Sequence, residues 1–549
     1  MNKNQILLLL GIVWLCGSKE GIQASPDVIY YNGKIATVDA NFSIVSAMAI
    51  KDGRIVSTGT SEEIQKIGSA DSKFIDLKGK TVIPGLIDNH LHFMRDAVRW
   101  ANEARIDGIT NRAQALTIIR EKALALKPAE PLLVPGGWGE LQFADHPGAF
   151  TREELDQAAP SNPVVLQKSY MAIYMNSLAA NESTSTKQDS DGVNGPSDSR
   201  RERRGSSVGG GGEARANMRA VNRAVQSMTP NLTEEEKLSS ISSFCGALNA
   251  MGLTSIYDVG LPMDGPMERI STLKKQGRLP LRVFNTLRYT ANSPDQADRA
   301  VQLIQASKPF QSDAWSGVIG IGEHTYAPIH DSAMRATEYP QEAYAQFEKI
   351  AESAASGGWN IQEHAQQDLT ISHFLDIFER IHQRYTLPRW TLAHCDTISP
   401  ANLARAKKLD LTIAVHNHTI KPPGVGGDSP PVKMIQESGI IWGLGSDGGV
   451  VAPLNPFSTL WWVVTGKIYP DRKVQEGTIT RQQALIAHTR SNAYLLFKEK
   501  DLGSIEPGKL ADFLVLDRDY LTIPEDEIKE IKPLQTVIGG KVVFGEKNL

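Results

Sequence analysis

At 549 residues the chain exceeds one simple core and is long enough for a large barrel with a smaller companion domain. Its 41% hydrophobic and 22% charged residues are those of an ordinary globular protein, and a net charge of -4 gives no electrostatic reason to expect nucleic acid as a partner. Only three cysteines occur, Cys16, Cys245 and Cys395, which excludes a disulfide framework or a cysteine-based zinc site and leaves histidines and carboxylates to hold any metal.

Residues 1–24 read as a signal peptide. Lys3 precedes an apolar run from Ile6 to Leu15 that is short for a bilayer, and small residues follow at Gly17, Ser18, Ala24 and Ser25. The pattern predicts export, to the periplasm or the outside; the alternative is a buried terminal strand or helix. Cys16 raises lipid attachment, although Trp14 and Leu15 before it are bulky for such a cleavage site. No later apolar run is long enough for a membrane span.

Residues 26–81 hold short β-like pieces such as "DVIYYNGKIATVD" and "SAMAIKDGRIVSTG", alternating near period two and turning at Asn-Gly or Asp-Gly. Residues 500–549 repeat the style in "KLADFLVLD" and "PLQTVIGGKVVFG". The two ends are expected to close into one composite β-sandwich domain, with residues 82–499 inserted between them.

That middle alternates apolar strands with helical stretches, which predicts a parallel α/β architecture: a distorted (β/α)8 TIM barrel. An open doubly wound sheet is the alternative, but no glycine-rich dinucleotide loop opens the region. Residues 181–212 break the pattern. Their only aliphatic side chains are Val193 and Val208, which predicts a mobile low-complexity loop; a local reading-frame error would leave the same trace. The "RRERR" run within it reads as solvated charge.

The chemistry lies at strand ends. In "VIPGLIDNHLHF", His90 and His92 are two apart, and on a strand such residues face the same way. "GWNIQEHAQQD" ends an apolar run at His364, "RWTLAHCD" at His394 and "IIWGLGSDGG" at Asp447. Each alone reads as a satisfied histidine or a helix-capping aspartate. Together, at successive barrel strands, they suit a divalent ion: zinc first, with manganese or iron as alternatives. Such an ion lowers the pKa of bound water to about 7, and Asp447 is positioned in the sequence to shuttle the proton.

The pieces "PGLIDNHLHF", "GGWGE", "EHAQQD", "LAHCD" and "GLGSDGG", with the tail from "DLGSIEPGKLADF" to "GGKVVFG", resemble the amidohydrolase superfamily, in its long-chain amidohydrolase-3-type branch with N-substituted formamide deformylase-like enzymes. The resemblance spans nearly the whole mature chain. It implies a metal-bearing barrel with His90 and His92 as first-strand ligands, His364 and His394 as fifth- and sixth-strand ligands, and Asp447 as an eighth-strand acid/base that also touches metal. Relatives often carry a carboxylated lysine on the fourth strand. The corresponding stretch here, "SGVIGIGEHTYAP", has none. Glu323 is the replacement as a bridging carboxylate, with His324 a second choice; without Glu323, one ion rather than two is expected.

Three further residues are assigned to substrate: Trp138 as an apolar wall, and His416 and His418 of "VHNHTI" as orienting groups or a hydrogen-bonded layer behind the ligands. The expected activity is metal-dependent hydrolysis of a non-peptide carbon–nitrogen bond in an amide or N-formyl-type small molecule, by attack of metal-bound hydroxide. The rivals are a cyclic amide, an ester or an amine at the same site, or a non-catalytic binding protein on the scaffold. A homodimer is left open.

Overall fold

The computed structural model describes residues 25–181, 221–228, 231–262, 266–289, 291–332, 336–417 and 428–547. The expected signal peptide, the body of the low-complexity loop and His418 lie outside the described residues.

Eight parallel strands form a nearly closed barrel. They are β1 (Leu86–Leu91), β2 (Leu253–Pro262), β3 (Arg282–Arg288), β4 (Ser316–Glu323), β5 (Asn360–Ala365), β6 (Thr391–His394), β7 (Thr412–His416) and β8 (Trp442–Gly445). Helices separate them in sequence, as parallel neighbours require. Between β4 and β5 lies Gln341–Ser356, which buries Tyr344, Phe347, Ile350, Ala351 and Ala354. Between β5 and β6, Asp368–His382 buries Ile371, Phe374, Leu375, Phe378 and Ile381. That three-and-four spacing puts one apolar stripe on the sheet, and each such side chain contributes about 1.5–3 kcal/mol by burial.

The seam between β8 and β1 is closed by side chains rather than by a regular ladder. Asn492 donates to the carbonyls of Ile87 and Leu444, one on each side of the seam, and accepts from Asn89 at 2.8 Å. The Asp88 carboxylate accepts from the amide and hydroxyl of Ser446. The Asp447 amide donates to the His90 carbonyl at 2.9 Å. A Cβ on Gly443 would lie 2.0 Å from the Asn492 amide oxygen, so the glycine makes room for the bridge.

The two chain ends build a β-sandwich. One sheet has four strands, all from residues 28–76; the other has six, with Phe513–Leu516 pairing Thr81–Pro84 and so joining tail to head. Ile35, Met48, Ile55, Val82, Phe513, Val515 and Val537 pack between the sheets. The Asp52-Gly53 turn makes a hairpin, with φ of 49° and 74°. Asn32-Gly33 does not: Val28–Tyr31 enters the four-stranded sheet and Lys34–Ala36 the six-stranded one, so the turn crosses the sandwich. Both strands find parallel partners further along, Val28–Tyr31 in Lys73–Asp76 and Lys34–Ala36 in Thr81–Pro84.

Between β1 and β2 an insertion adds a three-stranded sheet and the helices Arg112–Ala125 and Arg152–Ala158 around a second core. Among the described residues no helix is long and apolar enough to cross a membrane.

Candidate metal centre

The carboxyl ends of β1, β4, β5, β6 and β8 meet around the Glu323 carboxylate. Its Oε1 lies 3.1 Å from His92 Nε2, and its Oε2 lies 3.3 Å from His90 Nε2, 3.3 Å from His364 Nδ1 and 3.4 Å from His394 Nε2. Asp447 Oδ1 is 3.7 Å from His92 Nε2 and 4.0 Å from His90 Nε2. Five imidazole and carboxylate residues far apart in sequence, with the fourth-strand glutamate as a sixth, thus come together at one mouth. His324 also reaches Glu323 Oε1, at 3.4 Å.

His92 differs in detail from its expected place. It lies just beyond β1 and caps the short helix α1 (Phe93–Ala97), yet its Nε2 still turns to the same carboxylate as His90. His394 and Asp447 adopt positive φ, 73° and 49°. Left-handed conformations at non-glycine residues cost about 1–3 kcal/mol each and collect at functional sites.

Behind this cluster stand residues with no signature in the sequence. The Gln362 amide lies 3.0 Å from His90 Nδ1. Asp331 Oδ1 is 3.2 Å from His364 Nε2, and its carboxylate accepts from the Gln366 and Gln367 amides. His330 stacks on His364 at 10° between planes. Asp331 and His330 come from the loop after β4, where no periodicity marks them.

His416 is fully buried, its Nδ1 3.1 Å from His394 Nδ1, and its ring packs 4.1 Å from that of His90. The structure takes Trp138 away from the pocket assigned to it. The indole is wholly buried against Phe143, Phe150 and Tyr174 in the insertion core. The glycines beside it serve close packing instead: the Gly137 amide donates to Val450, and a Cβ on Gly136 would meet the Val450 carbonyl at 2.0 Å.

Electrostatics bind the cluster. Burial alone would raise the Glu323 pKa, but the charges of His324 and His90 and hydrogen bonds from His364 and His394 hold it well below the carboxylate range. Burial works against a charged His364, yet Asp331 and Glu323 together raise it well above the usual value. His394, buried and facing the His364 charge, falls to about 4. Burial and Arg95 depress His92, but Glu323 and Asp447 outweigh them and raise it. The most exposed side chains of the cluster are His92, at 22%, His324, at 15%, and Asp447, at 12%.

The residues fit a divalent metal. His90 Nε2 is buried with no hydrogen-bond partner while it faces two carboxylates, an arrangement that calls for a proton or a cation. Three donor groups have all their atoms within 4.8 Å of one another: His90–His92–Glu323 and Glu323–His324–His364, which share Glu323, and the fully buried His90–His394–His416. Imidazole nitrogens with carboxylate oxygens are donors that suit a divalent ion.

The YtcJ protein of Bacillus subtilis (strain 168) is 24% identical over 94% of this chain and 99% of its own. The N-substituted formamide deformylase of Arthrobacter pascens is 23% identical over 94% and 97%. A crystal structure of an uncharacterized metal-dependent hydrolase from Pyrococcus furiosus superposes with a TM-score of 0.61 at 21% identity, covering 90% of this chain and 100% of that one. Residues 73–544 match the amidohydrolase family, and the chain belongs to that family of hydrolytic enzymes.

Proposed function

We propose that the protein hydrolyses the carbon–nitrogen bond of an amide or N-formyl-type small molecule, using zinc held by His90, His92, Glu323, His364, His394 and Asp447. The observation that carries this reading is the convergence of four imidazoles on one carboxylate whose neighbours include an accessible aspartate. Glu323 stands in two of the three donor groups, as a carboxylate shared by two ions would. When bound, zinc would supply Lewis-acid polarisation of a carbonyl and an acidified water. The chain's own residues then divide the remaining work. Asp447, accessible and beside His92, takes a proton from water on the open side and returns it to the leaving nitrogen. His416, Gln362 and Asp331 hold the rings of His394, His90 and His364 in place. Kinship with a formamide deformylase supports an N-formyl or amide substrate.

The test is turnover of a formamide and N-acyl amide panel by zinc-loaded protein, before and after chelation. His90→Ala and Asp447→Asn should each lower kcat/KM by about 10³-fold or more, with the parent melting curve kept. Full activity in either variant, or in metal-stripped enzyme, would end the proposal.

A further inference from the structure

A cavity of about 250 Å³ lies against the loop that follows Asp447, lined in part by Arg95, Arg99, Gln167, Tyr170 and Val450. Arg95 belongs to α1, three residues after His92, and Val450 is three residues after Asp447. The cavity is therefore anchored on both sides to the metal centre. Arg95 is also close enough for its charge to act on His92 and to feel Asp447.

The charges around it are ordered. Arg95 pairs with Asp96 at 2.9 Å, and Arg99 with Glu103 at 3.1 Å. Both carboxylates are fully buried and neither lines the cavity, whereas both guanidiniums do. Asp96 is packed under the backbone of Gly449, where a Cβ would lie 2.0 Å from its Oδ2. The acids thus sit behind and the guanidiniums in front, and among the described residues the lining contains no Asp or Glu. Arg95 Nη1 donates to the Tyr170 hydroxyl at 2.9 Å, which aims the fork. Gln167, 2% exposed, has an Oε1 with no hydrogen-bond partner, so the wall also holds an unused acceptor. Arg95 uses Nε and one Nη2 N–H on Asp96 and one Nη1 N–H on Tyr170, which leaves two of its five N–H groups, so an unmatched buried acceptor beside two guanidiniums calls for a ligand with an anionic oxygen pair and a nearby N–H.

We infer that this cavity receives the carboxylate of the substrate, with Arg95 and Arg99 facing the anion and Gln167 accepting from an adjacent N–H. The substrate class is then an N-formyl or N-acyl amide that carries a carboxylate, a deepening that rests on the hydrolytic reading of the adjoining centre. The small volume suits a compact acid rather than a chain of residues.

Calorimetry on the zinc-loaded full chain, titrated with 3-phenylpropanoate and with 3-phenylpropanamide, tests the pocket without requiring turnover. The carboxylate is expected to bind tighter by about tenfold or more, since charge-assisted bidentate pairs are the strong ones. Arg99→Gln, which touches no candidate metal ligand, should collapse that ratio, and so distinguishes the pocket from a carboxylate sitting on zinc. Should that variant lose its thermal transition, Gln167→Glu is the second: it sets a like charge against the anion and should collapse the ratio equally. Equal affinity for the two probes, no binding of either, or a preference that survives in a folded variant overturns the inference. Failure of the whole amide panel, with this preference intact, would sink the hydrolytic reading alone.

Discussion

Glu323 sets the electrostatics of the cluster: His324, His90, His364 and His394 hold its carboxylate ionised, and its charge in turn helps to raise His92 and His364. Asp331 deepens this at one ring. A carboxylate on the far nitrogen of a ligating histidine fixes tautomer and orientation, and its loss costs roughly 10–100-fold in metal affinity. Asp331→Asn keeps the shape and removes the charge beside His364 Nε2. Zinc competition with a chromogenic chelator should then show affinity lower by about 10–100-fold for at least one ion; unchanged affinity would place Asp331 outside the metal's support. Residues of this kind were not legible in advance. His90, His364, His394 and Asp447 end apolar runs and can be seen there, whereas Asp331 lies in a loop and Gln362 inside a strand, and only tertiary closure brings either to a ring. Trp138 shows the opposite failure. Its glycine-rich flank marked it as a pocket wall, but the glycines allow backbone contact with Val450 while the indole goes to the insertion core.

At the scale of elements, the barrel is held shut where a ladder is weakest. Asn492, fully buried, bridges β1 and β8 through the Ile87 and Leu444 carbonyls and so keeps Asp447 beside His90. Asn492→Ala strands buried polar groups, and each unsatisfied group costs about 1–3 kcal/mol. A thermal melt should show a clearly lowered Tm together with reduced zinc affinity, since the seam positions a ligand. A variant that melts and binds zinc like the parent would contradict this account of the closure. The strand–helix alternation made the barrel readable from its 3.6- and 2-residue periods, as for Asp368–His382. The bridge was unreadable, because Asn492 is over four hundred residues from Asn89 and no local pattern links them.

For the whole molecule, the sandwich is a clamp that ties both chain ends to the barrel. Head and tail strands share one sheet, and Arg282 of β3 makes a two-pronged ion pair with Asp512 at 2.7 and 2.8 Å, just before the tail strand Phe513–Leu516. Both partners are buried. Removing one leaves an uncompensated charge at a cost of about 3–5 kcal/mol, so Asp512→Ala should lower the Tm by several degrees; a melt superposable on the parent would show that the tail is not coupled to β3. The joining of the two ends was visible in their matching strand-and-turn style. The division of Val28–Tyr31 and Lys34–Ala36 between two sheets was not, because pairing is chosen by partners more than forty residues away.

Anomalous diffraction at the zinc edge from crystals of the zinc-loaded protein tests the central claim most directly. A peak is expected at the barrel mouth, within about 2.0–2.2 Å of His90 Nε2, His92 Nε2 and a Glu323 oxygen. A mouth with no peak, or zinc bound only elsewhere, would contradict it.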